Sequence, residues 1–332
     1  MGPARPSLLV TAAILVLSLM VPTGVGARSD EPPFAHIQGI AEGDLWTFRV
    51  TGNARGEVHN EVAATEVHEA ADGARYETFR IHSSSDLVVK KEAGTDAAST
   101  SSEVEEHVEI DKWIRTTDHA TLGLSGTTTL QEQGRSTFSQ DVQRTYRPVL
   151  VEEIFPFTVG YEWASTVKVW QKNGDQPERE PWQAVHTVQV VDHGPVSVQA
   201  GTFQAWKMLV RFEGVSYVRW YAEEACTTVK ELRYGKEAAR DGKLEEHEAE
   251  TVQELVAFRC SRTPMEDPVY STDEVRLLAV PPGMTGGAGS PAFEDADGDG
   301  SKGSSAGLWF ALAAVAAVAS IVVGYRRARR DD

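Results

Sequence analysis

Few residues in this chain have the types and spacing that chemistry requires. The clearest candidates are Asp295-Ala296-Asp297-Gly298-Asp299-Gly300. Carboxylates at positions 1, 3 and 5 and glycine at 6 match the opening of a calcium loop, where hard oxygens wrap a hard cation. The match breaks at position 12, where a bidentate glutamate is needed and Ala306 stands. An acidic spacer is the preferred reading, and a weak calcium contact through Asp295, Asp297 and Asp299 is the alternative. The nine histidines are scattered: His59 and His68 lie in an acidic stretch and His107 follows Glu105-Glu106. None has the spacing of a zinc motif. Gly123-Leu124-Ser125-Gly126 lacks the Gly-x-Ser-x-Gly arrangement that exposes a nucleophilic serine. No phosphate-cradling glycine loop is present, and carboxylates are too numerous for one acid–base pair to stand out. The sequence therefore predicts a non-enzymatic protein with no cofactor beyond the weak calcium candidate.

Cysteines and tryptophans carry more information. Cys226 and Cys260 are the only two cysteines. In an exported chain an even pair points to one disulfide. Of eight tryptophans, seven (Trp46, Trp113, Trp163, Trp170, Trp182, Trp206 and Trp220) fall in strand-like segments. The plain reading is a β core filled with large side chains. The alternative is an apolar groove, with Trp163, Trp206 and Trp220 as its candidates, holding a lipid or glycan.

The elements that must position these residues begin with the two ends. Arg5, the apolar run Leu8 to Val21 and the small residues Val25-Gly26-Ala27 form a secretory signal over 1–27. Gly307 to Tyr325 is a 19-residue run without a charge. At about 1.5 Å per residue it spans roughly 28 Å, the thickness of a bilayer core. Arg326, Arg327, Arg329 and Arg330 follow in the tail 326–332, which the positive-inside rule places in the cytoplasm. The expected location is the cell membrane, single-pass, with the N-terminal part outside. Between signal and helix, residues 28–306 hold 47 of the 49 acidic and 27 of the 32 basic residues, a formal charge of −20. Nucleic acid is excluded as a partner, because phosphate binding needs basic surface.

The outer part reads as mainly β. Trp46, Phe48 and Val50 alternate with polar residues; so do Val108, Ile110, Lys112 and Ile114, and Trp206, Met208, Val210 and Phe212. A period of two with one wet face marks antiparallel strands. Gly43-Asp44-Leu45-Trp46 opens one strand series and Gly160-Tyr161-Glu162-Trp163 another, 117 residues later. The expected organisation is two related curved-sheet or half-barrel units, 28–152 and 153–262, joined by a connection at Pro148 to Pro156. A flexible acidic stalk over 263–306 follows, then the transmembrane helix 307–325. Glu92 to Ser102 reads as a mobile loop. Thr227–Tyr234 and Glu248–Phe258 read as a hairpin around Asp241-Gly242 that brings Cys226 and Cys260 together, with a helix over 243–258 as the rival.

Val196-Ser197-Val198-Gln199-Ala200-Gly201-Thr202-Phe203, with Tyr217 to Glu224, Thr228-Val229-Lys230 and Val159-Gly160-Tyr161-Glu162-Trp163, resembles a motif set of uncharacterised prokaryotic, archaeal-type envelope proteins. Gln199 stands where that pattern has proline. The resemblance covers about residues 155–260. It implies a curved antiparallel sheet similar to the half-barrel of bacterial lipoprotein carriers, which hold acyl chains on the concave face. The Gly201-Thr202-Phe203 motif reads as structural: glycine for a tight turn, phenylalanine back to the core.

The expected function is a structural or interaction role at the cell surface, through a lipid or envelope-protein partner. A binding module for a lipid or other apolar ligand is the alternative, and a hydrolase with dispersed residues the third reading.

Overall fold

The computed structural model describes residues 38–70, 73–91, 102–132, 135–235, 244–265, 268–280 and 292–294. The segments 1–27, 307–325 and 326–332, expected as signal peptide, transmembrane helix and basic tail, lie outside them, as do Asp295, Asp297, Asp299, residues 92–101 and Asp241-Gly242.

The chain forms β1 (Gln38–Gly39), β2 (Leu45–Gly52), β3 (Ala54–Glu69), β4 (Arg75–Lys91), β5 (Ser102–Arg115), β6 (Thr121–Glu132), β7 (Arg135–Leu150), β8 (Glu162–Asn173), β9 (Trp182–Val198), β10 (Gly201–Phe212), β11 (Val215–Ala222), β12 (Thr227–Tyr234), β13 (Thr251–Arg259), β14 (Thr263–Pro264), β15 (Val269–Ser271), β16 (Arg276–Ala279) and β17 (Ala292–Glu294). From β2 to β13 each strand pairs antiparallel with the next, and β13 returns to pair with β2. Twelve strands therefore close into one up-and-down barrel. The expected mainly-β fold is found, but the segments 28–152 and 153–262 are not two sheets. Each supplies six consecutive strands, and they join at β7–β8 and at β13–β2. A six-strand half alone would leave two edges of unpaired N–H and C=O groups, and closure pairs both.

Alternation places the core. On β5, Val104, Glu106, Val108, Ile110 and Ile114 are buried while Glu103, Glu105 and Glu109 are exposed. The two halves open on the same local geometry. Gly43 N–H donates to the Val62 carbonyl and Val62 N–H to that of Asp44; Gly160 and Val190 exchange the equivalent bonds through Tyr161. Both glycines have positive φ, 86° and 93°, a conformation glycine adopts without steric cost.

The β7–β8 connection behaves unlike a surface loop. Val151, Ile154, Phe155, Phe157 and Tyr161 are all fully buried. Its backbone is satisfied from both sides: Val151 N–H donates to Ser165 Oγ at 3.3 Å and Phe155 N–H to the Tyr270 hydroxyl at 2.9 Å. Phe155 and Phe157 pack against Tyr221 with ring centroids 5.7 and 5.1 Å away. Beside it β7 pairs only with Lys168–Asn173 of β8, and β16 pairs along Glu162–Ala164 instead.

That pairing corrects the expected stalk, which does not start at 263. Tyr270 and Val275 are buried. Arg115 holds Glu274 through two bonds of 3.0 and 2.7 Å and also chelates buried Asp118. A few apolar residues dispersed among Pro, Ser, Thr and Asp were enough to dock this segment.

The expected hairpin is present: Lys230 faces Glu254 and Leu232 faces Val252 across β12 and β13. Cys226 and Cys260 form a disulfide with Cα atoms 6.3 Å apart. The rival helix over 243–258 is not found; its only helical turn is the short one at Glu246–Glu248. In the Gly201 motif, Gly201 has φ 146° at the β9–β10 turn, and Phe203 is buried with its ring 5.7 Å from Phe258.

Candidate functional site

A chamber of about 270 Å³ lies inside the barrel, lined from β2 through β7, from β11 to β13 and from the buried connection. Its two walls differ in chemistry. Trp46 and Phe48 on β2, Val58 on β3, Ile81 on β4 and Ile110 and Ile114 on β5 make a mainly apolar wall, interrupted by Asn60, Ser83 and Lys112. Arg219 on β11, Glu231 and Arg233 on β12 and Gln253 on β13 make a polar one.

Glu152, from the connection, ties the strands together across the interior. Lys112 Nζ on β5 and the Thr121 hydroxyl on β6 each lie 2.6 Å from its Oε1, and Arg219 Nη1 approaches Oε2 at 3.8 Å. Arg219 Nε in turn donates to Glu231 at 2.6 Å. Burial opposes the charge on Glu152, but Lys112 and Arg219 outweigh it and hold the carboxyl at about 2.

Glu153 is the contrast. It also lines the chamber, yet among the described residues it has neither a hydrogen bond nor an ion pair. Burial, then the adjacent Glu152 charge, push its carboxyl up to about 7. Its side chain is partly accessible because it borders the chamber. His119, at a positive-φ turn position, also lines the chamber. Burial lowers its imidazole to about 4, and its Nε2 has no partner among the described residues.

His186 and Glu106 are among the other buried groups without a hydrogen-bond partner among the described residues. His186, held down at about 4 by burial, has both ring nitrogens unbonded and its ring edge against Phe212 at 5.4 Å. Glu106 is 1% exposed, both its oxygens lack a partner, and burial lifts its carboxyl to about 8.

The three groove candidates are not brought together. Trp163 and Trp206 sit buried in one core cluster, with Trp206 6.2 Å from Phe157. Trp220 lies on the opposite face of β11 from Arg219, between the ammonium groups of Lys207 and Lys230 at 5.3 and 5.7 Å. The aromatic residues that do line the chamber are Trp46, Phe48, Tyr146, Tyr217 and Tyr221.

A carboxylate, a histidine and a hydroxyl do share this chamber, as a dispersed hydrolase would require. Their bonding differs from that of a nucleophile and its base: Thr121 donates to Glu152, a weak base at about 2, and His119 Nε2 bonds neither. Among the described residues no three His, Cys, Asp or Glu side chains are grouped to hold a metal. Comparison with known family models, curated proteins and solved structures gives no match. Fold and chamber thus define a closed twelve-strand β-barrel with a two-sided internal cavity.

Proposed function

We propose that this protein is a cell-surface binding module whose barrel holds one small amphipathic molecule in the internal chamber. The carrying observation is a two-sided lining, mainly apolar on β2–β5 apart from Asn60, Ser83 and Lys112, and polar on β11–β13 through Arg219, Glu231, Arg233 and Gln253. Binding sites for small molecules combine largely apolar walls with a few convergent polar groups, and this chamber has both. The lining lends itself to a molecule with an apolar body and one polar head.

The remaining parts of the proposal follow from the sequence. Export by the signal 1–27 and retention by the helix 307–325 would present the barrel outside the membrane. The two halves are read as related repeats of a carrier-like half-barrel. Six strands in each, the shared glycine turn, and Trp46 and Trp163 as the second residues of β2 and β8 support that reading.

The test is calorimetry on the full chain in lipid nanodiscs, with eight-carbon amphiphiles as probes. Saturable one-to-one binding is expected, and it should be lost in Ile110→Trp, which fills the chamber from its apolar wall. Binding that Ile110→Trp leaves untouched, or none with any probe, overturns the proposal.

A further inference from the structure

We propose that the molecule held in the chamber carries a cationic amine head, and that Glu153 is the residue that receives it. The inference rests on the reading of the chamber as a binding site and specifies the occupant's chemistry.

The argument is one of unmatched groups. Every other acidic group lining the chamber is occupied: Glu152 holds Lys112, Thr121 and Arg219, and Glu231 holds Arg219. Glu153 faces the same space with no donor among the described residues. A carboxylate that borders a cavity and has no donor there gains from a ligand ammonium, which supplies both the charge and the hydrogens it lacks. Aromatic rings border the same space, Tyr221 and Trp46 among them, and ring faces attract organic cations. The acidic charge of residues 28–306, −20 by formal count, draws cations toward the barrel rather than anions. At Lys112 and Arg219 an anionic head would compete with carboxylates already bound to them, which leaves Arg233 as the other cation on the polar wall.

The groups around Glu153 set the pH behaviour. Glu152 opposes its ionisation, Lys112 and Arg219 favour it, and Tyr221, Tyr270 and His119 stand neutral near neutral pH. With the carboxyl at about 7 in the empty chamber, its ionised fraction rises from about one in eleven at pH 6 to about ten in eleven at pH 8. Amine affinity should therefore rise roughly tenfold between those pH values, while the amine itself stays charged.

The experiment compares octylamine, octanol and octanoate by calorimetry on the full chain in nanodiscs, with protein-free nanodiscs subtracted. Octylamine should bind at least tenfold more tightly than the other two at pH 8. Glu153→Gln should erase that preference and its pH dependence while still binding octanol. Equal binding of all three, or tighter octanoate, overturns the amine assignment and leaves the chamber as a site. An amine preference that survives in Glu153→Gln assigns the head to another residue and likewise overturns it. No binding of any of the three removes the chamber reading itself, and this inference with it.

Discussion

Glu106 offers the sharpest test of how this barrel is built. Its cross-strand neighbours are Leu87 on β4 and Leu130 on β6, and Val104 and Val108 flank it on its own inward face. No donor among the described residues meets either oxygen, so burial sets its behaviour and lifts its carboxyl from 4.5 to about 8. The sign follows from proton counting. Between pH 4.5 and pH 8 the folded chain keeps this proton and the unfolded chain gives it up. The unfolded state therefore binds fewer protons, and stability falls as pH rises. From pH 5 to pH 8 the loss is about 3 kcal/mol, most of what one proton can contribute over that span.

Glu106→Gln removes the titration and keeps the shape. Urea unfolding of the two proteins, measured from pH 5 to pH 9 with the disulfide intact, should give a difference that grows in favour of the variant by that amount and levels off above pH 8. The pH dependence is the diagnostic, because the buried amide adds an offset that does not vary with pH. Glu106→Leu should show the same dependence with a larger gain, since it leaves no polar group to satisfy. A wild-type minus variant difference that stays flat across this range would refute the reasoning, because a flat line means that the carboxyl has a partner or is wet.

Two other perturbations test the rest of the frame. Glu152 is the opposite case, its carboxyl depressed from 4.5 to about 2. Its contribution is present above pH 4.5 and lost as pH falls toward 2, about 3 kcal/mol in all. Glu152→Gln should flatten the acid limb of the stability profile, and an unchanged acid limb would contradict its assigned ion pairs. Joint replacement of Cys226 and Cys260 by alanine opens a link between residues separated by 34 positions. By chain entropy this should cost about 4 kcal/mol, read as a urea midpoint of the variant lower than that of the oxidised wild type.

The local elements were legible because each carries a short-range signal. Alternation in Val108 to Ile114 and Trp206 to Phe212 marks strands with one wet face, and the β12–β13 hairpin brings the two cysteines together. Closure was not legible, because β13 pairs with β2 across some two hundred residues and nothing local encodes that contact. Glu106 hid in the acidic run Glu103 to Glu109; only its parity with Val104 and Val108 separated it from its exposed neighbours. Glu152 and Glu153 looked like ordinary connection residues, although the apolar company of Val151, Ile154, Phe155 and Phe157 was a signal that the connection would be buried. Trp220 was misleading for another reason. The outer face of β11 and β12 carries its own small core, with Val218, Leu232 and Tyr234 covered by Leu244 and Ala249, so both faces of β11 read as apolar.

The chamber follows from the strand count more than from any one residue. About eight strands make a barrel whose interior side chains just fill, and diameter grows with strand number. Twelve strands leave space that inward side chains alone cannot close. Here the β7–β8 connection fills part of it with Ile154, Phe155 and Phe157 packed on Tyr221 and Trp206. Glu152 and Glu153 border the space that this filling leaves. Glu152 is fixed by three partners and spans the barrel; Glu153 faces the cavity with none among the described residues. If two similar halves were joined to make the ring, the shared glycine turns at Gly43 and Gly160 mark corresponding starts. The segment that enters the barrel lies between the sixth and seventh of the twelve strands, so the course of this connection and the space left beside it are consequences of one arrangement.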